Sequence, residues 1–196
     1  MKVAGTGIPF AETVVSLEAT DFKERIVKMS GADKVPVLLD GDVPIWESLA
    51  ILEYLSEKFP ATGLWPCDAA ARGHARAIAA EMHAGFQPLR RQLPMNMWRP
   101  MPPRLLEPDA LSDVARIEAI WSECRALWGR GLVPVRRVRS SRCHVCAGGF
   151  TLPHRCGRRR RCCAGYMRAV MALPAWKKWR DAALRETWIL PHEEVA

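Results

Sequence analysis

Two groups of residues have types and spacings that could do chemistry. The first is Lys34-Val35-Pro36, followed across a turn at Asp40-Gly41-Asp42 by Glu47-Ser48. Ser48 stands where a helical pattern begins, and the free N–H groups of a helix N-terminus attract carboxylates. Taken singly, each residue has a plain reading: Ser48 as a helix cap, Glu47 as a solvated acid beside a positive helix end, Lys34 as a surface lysine. The second group lies between Cys143 and Cys163. Cys143-x-x-Cys146 has the spacing of half a zinc site. His154-x-Cys156 and the adjacent Cys162-Cys163 do not supply the other half. Arg158 to Arg161 could contact phosphates, but no aromatic residue is interleaved with them. His74, His83 and His192 lack metal-ligand spacing, so no metal site is expected.

The elements that must position these residues come from a chain of 196 residues with ordinary apolar and charged content. That length can bury a core without staples, and the composition excludes disordered and collagen-like chains. The net charge of +8 invites a nucleic-acid reading. Its distribution weakens that reading. The 57 residues from Cys124 to Arg180 contain no Asp or Glu and hold 15 of the 29 basic residues, so the remainder carries a net charge of −7. No apolar run reaches the roughly 20 residues of a membrane span. Met1 to Gly5 has no apolar run behind it, so no secretory signal is expected. Five of the seven cysteines fall within Cys143–Cys163, and an odd total without an export signal argues for a reducing cytoplasm.

Along the chain, strand and helix signals alternate over the first 60 residues. Glu12 to Leu17 is short and β-branched and predicts a strand. Asp21 to Lys28 predicts a helix, capped by Thr20 or Asp21 and stopped at Ser30-Gly31. Val35–Leu39 and Val43–Trp46 flank Asp-Gly and predict a hairpin. From Ser48, Leu49, Ile51, Leu52, Leu55 and Phe59 recur at helical spacing up to Pro60. Residues 61–66 read as a linker. A long helical pattern runs from Asp68 to about Leu93, another opens at Pro108-Asp109, and Tyr166 to Leu184 carries one or two more around Leu173-Pro174. The plan is a small α/β unit followed by an all-helical unit.

Lys34-Val35-Pro36-Val37-Leu38, Asp40-Gly41 and Trp46-Glu47-Ser48-Leu49-Ala50-Ile51-Leu52-Glu53-Tyr54-Leu55 together resemble the N-terminal domain of glutathione transferases. Arg76 to His83 resembles the first helix of the family's C-terminal domain, and Leu173-Pro174-Ala175-Trp176 with Trp179 resembles its last helices. The resemblance covers about residues 1–128 and 166–196. It implies a thioredoxin-like N-terminal domain over 1–61, expected to be incomplete, and a helical-bundle C-terminal domain over 62–196. It also implies a cis peptide bond before Pro36, with the Val35 main chain pairing the cysteinyl part of glutathione. Glu47 and Ser48 would hold the γ-glutamyl end and Lys34 the glycyl carboxylate. Glutathione would be the co-substrate, a small electrophile the second substrate, and a homodimer the common assembly. Family pockets lie between the domains, which makes Met82, Phe86 and Trp121 pocket candidates, although Trp98, Trp121, Trp128 and Trp179 also read as core.

Two stretches depart from the family pattern. Met1 to Phe10 resembles the end of the family's first helix, so the first strand and the residue that activates the thiol are expected to be missing. Thr6 stands in the wrong place for that role, and no catalytic residue is assigned. The Glu12–Leu17 strand would then lack its neighbour. From about Arg130 to Gly165 there are ten arginines, five cysteines and no acid. Codons that encode Arg142 to Ala147 can, read one base later, give Asp-Ala-Thr-Tyr-Ala-Pro, a familiar helix start in the family. A segment translated out of phase is the expectation there. Three readings remain: a glutathione transferase, an inactive remnant of that family, and a zinc or nucleic-acid module through residues 143–163.

Overall fold

The computed structural model describes residues 7–95, 97, 105–132 and 166–189, with residues 128–132 described by backbone alone. A mixed α/β region comes first and a helical bundle follows. The Cys143–Cys163 group, Arg158–Arg161, residues 133–165 of the expected out-of-phase segment, Thr6, Trp98, His192 and the Trp128 side chain lie outside the described residues.

Helix α1 spans Phe22–Ser30 with Asp21 at its cap position, and Gly31 at φ 71° stops it by donating its N–H to Val27 O. A left-handed residue after the last turn is where glycine carries no Cβ penalty. Strands β1 (Val37–Asp40) and β2 (Val43–Trp46) form an antiparallel hairpin, with Val37 opposite Trp46 and Asp40 opposite Val43. Gly41 at φ 59° opens its two-residue turn, as the tight turns that match strand twist require. Helix α2 covers Ser48–Lys58, and Pro60–Thr62 adds a short 3-10 turn.

One strand expectation is corrected. Residues 12–17 form no strand, and the hairpin is the whole sheet among the described residues. Val14 and Leu17 are exposed, at 59% and 48%. A strand exists only by pairing its backbone groups, and no described strand lies beside this stretch. β-branched composition alone cannot replace that ladder.

The helical region begins with α3 (Ala69–Ala84), where the Asp68 side chain accepts from Ala71 N at 2.7 Å as a working cap. The expected single helix to Leu93 is a second correction. It breaks at Gly85-Phe86 and restarts as α4 (Gln87–Gln92), with Phe86 in the left-handed region at φ 64°. Pro88 is the reason: inside a continuous helix it would lack its N–H and clash with the Ala84 carbonyl, whereas the first turn of a new helix tolerates it. Arg90 then reaches back to the Met82 and Gly85 carbonyls left open by the break. Helix α5 spans Pro108–Leu132, residues 166–171 are helical (α6), and α7 spans Pro174–Ala183.

Two apolar clusters hold this arrangement. Leu52 and Leu55 of α2 pack with Leu64, Trp65 and Ala75, flanked by Leu38 of β1 and Phe59. The stretch that reads as a linker therefore carries core residues. Met82, Phe86, Leu89, Ile117, Ile120, Trp121, Tyr166, Val170 and Trp176 form the second cluster between α3 and α7.

Leu64 is 2% exposed and joins both regions. Leu64→Ala is expected to destabilise the protein by about 2–5 kcal/mol through lost burial and an unfilled cavity. Urea unfolding checks this, and a midpoint unchanged from wild type would contradict it.

Candidate functional site

The hairpin register brings the sequence-selected residues together. Val37 faces Trp46 across the last described pair, so Pro36 and Glu47 adjoin one another at the open end of the hairpin. Lys34, Val35, Pro36 and Glu47 are exposed there and Ser48 is half-buried. The Val35–Pro36 peptide is cis.

Glu47, not Ser48, occupies the cap position of α2, with φ 67° and ψ 122°. Ser48 is the first helical residue, which corrects its reading as the cap. Glu47 makes no side-chain cap hydrogen bond, while its carbonyl accepts from Ile51 N at 3.0 Å and so starts the helix. A side-chain-bearing residue held at positive φ costs roughly 1–3 kcal/mol and persists where surrounding structure determines it. The free amides of the first turn remain at this end of α2.

From the helical bundle, His83 in the last turn of α3 brings its Nε2 to 3.2 Å from Glu47 Oε2. Both side chains are about half exposed. By sequence, His83 lacks metal-ligand spacing and has no other assigned role. No spacing rule joins it to Glu47, because the two meet only through packing of α3 on α2.

The opposite end of the hairpin is anchored. Asp40 accepts from the Tyr54 hydroxyl and from Lys58 Nζ, both on α2. Tyr54 and Lys58 are four residues apart and share a helix face, a signal available in the sequence. The hydrogen bonds from Lys58 and then Tyr54 hold the Asp40 carboxyl below its usual range. The same carboxylate holds the Lys58 ammonium and the Tyr54 phenol above theirs. Next to this anchor, Arg76 of α3 grips Glu53 of α2 through Nε and Nη2 at 2.8 and 2.5 Å. Arg116 of α5 grips Glu81 of α3 in the same two-pronged way at 2.6 and 2.9 Å, which lowers the Glu81 carboxyl.

The pocket candidates are core. Met82, Phe86 and Trp121 are all buried in the second cluster, and the Trp121 ring tilts against Tyr166 at 5.0 Å. Among the described residues there is no group of three metal-ligating side chains, and no helix is long and apolar enough to cross a membrane.

With this geometry in hand, similarity to known proteins is specific. Residues 5–58 match the glutathione S-transferase N-terminal domain. A probable maleylacetoacetate isomerase of Caenorhabditis elegans is 41% identical over 90 residues, covering 45% of this chain and 42% of that protein. A dichloromethane dehalogenase of Methylorubrum extorquens is 43% identical over 61 residues, covering 30% and 21%. Glutathione S-transferase theta-3 of Mus musculus is 31% identical over 109 residues, covering 51% and 45%. The chain matches less than half the length of each of these relatives. Its N-terminal region is related to the glutathione S-transferase superfamily and is of the thioredoxin-like type.

The anchor has a defined pH signature. A depressed Asp40 contributes stability that is present above the ordinary carboxylate range and is lost as pH falls through its lowered folded value. The raised Lys58 and Tyr54 contribute stability that is present below their ordinary values and is lost as pH rises through the raised ones. Asp40→Asn is therefore expected to lower the melting temperature at neutral pH and to reduce its fall below about pH 4. Melting curves of both proteins from pH 3 to 7 check this; parallel profiles would contradict it.

Proposed function

We propose that the chain binds glutathione at the open end of the hairpin, as a glutathione transferase-type protein with a small electrophile as second substrate. The carrying observation is the convergence of an exposed Val35–Pro36 main chain with the Glu47–Ser48 tip of α2. Val35 offers its N–H and C=O to the cysteinyl residue, as one strand offers its backbone to another. Glu47 takes the ammonium of the γ-glutamyl end, while Ser48 and the free amides of α2 take its carboxylate. Lys34 pairs with the glycyl carboxylate. The cysteinyl thiol, having lost its proton to solvent, attacks the electrophilic carbon with a sulfur electron pair, and the carbon–sulfur bond forms as the leaving group departs with its own bonding pair. No residue is assigned the activation of that thiol. The relatives are named for isomerase, dehalogenase and transferase reactions, while each matches only part of this chain. That pattern supports a common glutathione role for the shared part and leaves the choice of electrophile to the rest of the chain. A homodimer in the cytoplasm completes this reading.

A second reading, a chain that keeps the domain without transferase activity, is favoured by the unpaired stretch at residues 12–17. Turnover of a reactive aryl halide with glutathione separates the two.

The protein is expected to be retained on glutathione-agarose and released by free glutathione. Glu47→Ala combined with Ser48→Ala is expected to weaken glutathione binding by about tenfold or more, since hydrogen bonds to charged groups are each worth roughly 1.5–3 kcal/mol. A cooperatively melting chain that passes straight through the column would defeat the proposal.

A further inference from the structure

Among the described residues, the helical bundle meets the charged site residue Glu47 through His83. We propose that His83 is a positioning residue that orients Glu47 toward the α-ammonium group of a γ-glutamyl ligand. This rests on the glutathione reading and adds a specificity element supplied by α3.

A carboxylate has two oxygens and accepts only. His83 Nε2 stands at 3.2 Å from Oε2, so that oxygen is engaged and Oε1 remains for the ligand. The Glu47 backbone is held at φ 67°, which restricts where its side chain can start. His83 restricts where it ends. An ammonium group then meets a carboxylate already aimed, and less side-chain freedom is lost on binding.

The surroundings keep His83 in place and leave Glu47 to it. His83 lies in the last turn of α3, where a histidine side chain is favoured by the helix dipole. Arg90 of α4 donates to the Met82 and Gly85 carbonyls on either side of His83, tying down the turn that carries it. The nearby acid on the same helix, Glu81, is occupied by Arg116 of α5. Glu53 on α2 is occupied by Arg76 of α3.

The test is calorimetric titration of the full chain with glutathione and with glutathione acetylated on its α-amine. The wild-type protein is expected to prefer the free amine. His83→Ala is expected to weaken glutathione binding by roughly three- to tenfold and to leave the affinity for the acetylated analogue unchanged. His83→Gln, which keeps an N–H donor, is expected to recover most of the loss. Glutathione affinity of His83→Ala within about twofold of wild type would overturn the proposal. So would an equal loss for both ligands, which is what a merely structural histidine or an unfolded variant produces. A wild-type chain that binds neither ligand would overturn the glutathione reading itself, and this inference with it.

Discussion

Everything else in this molecule depends on the burial of one face of α2. Leu52 and Leu55 turn inward against Leu64, Trp65 and Ala75, so the helix is fixed between the hairpin and α3. Burying a leucine side chain is worth roughly 1.5–3 kcal/mol, which makes this cluster the main source of order for the N-terminal region. Because the helix is fixed, its first turn is fixed, and Glu47 and Ser48 meet the hairpin at a defined place. Had α2 been free to slide, the same residues would be an ordinary helix start.

Polar contacts refine what burial positions. Asp40 with Tyr54 and Lys58, Glu53 with Arg76, and Glu81 with Arg116 connect successive elements from β1 to α5. These side chains are largely solvated, and ion pairs in water add little net stability. Their geometry is still informative, since the two-pronged arginine contacts fix helix orientation as well as distance. The hairpin is thus anchored at its turn and left accessible at its open end, a division suited to binding an extended peptide-like ligand.

The break at Gly85-Phe86 shows how a local defect becomes useful. Pro88 forbids a continuous helix, and the restart turns α4 back across the bundle toward α5, where Leu89 N donates to Asp113 Oδ2 at 3.1 Å. Arg90 closes the exposed carbonyls. The end of α3 is thereby tied to α4, and it is the end that presents His83 to Glu47.

Signals that act within a few residues were legible in the sequence. The Asp-Gly turn, the stop at Gly31, the cap at Asp68 and the apolar spacing of α2 each follow from local backbone preferences, and the hairpin, α1, α2 and the start of α3 stand where those preferences put them. Val35-Pro36 and Glu47-Ser48 were named as candidate site residues through the family resemblance that their motifs carry. Only the tertiary structure decided the rest. Leu64 and Trp65 look like linker until α3 covers them. Residues 12–17 look like a strand, yet a strand is a property of two segments and the partner is not in its own letters. His83 ends a stretch with a family resemblance, but nothing local joins it to Glu47, and their meeting depends on how two helices pack. Short-range preferences are written into neighbouring residues, whereas partnership across the chain is set by burial that no local stretch encodes.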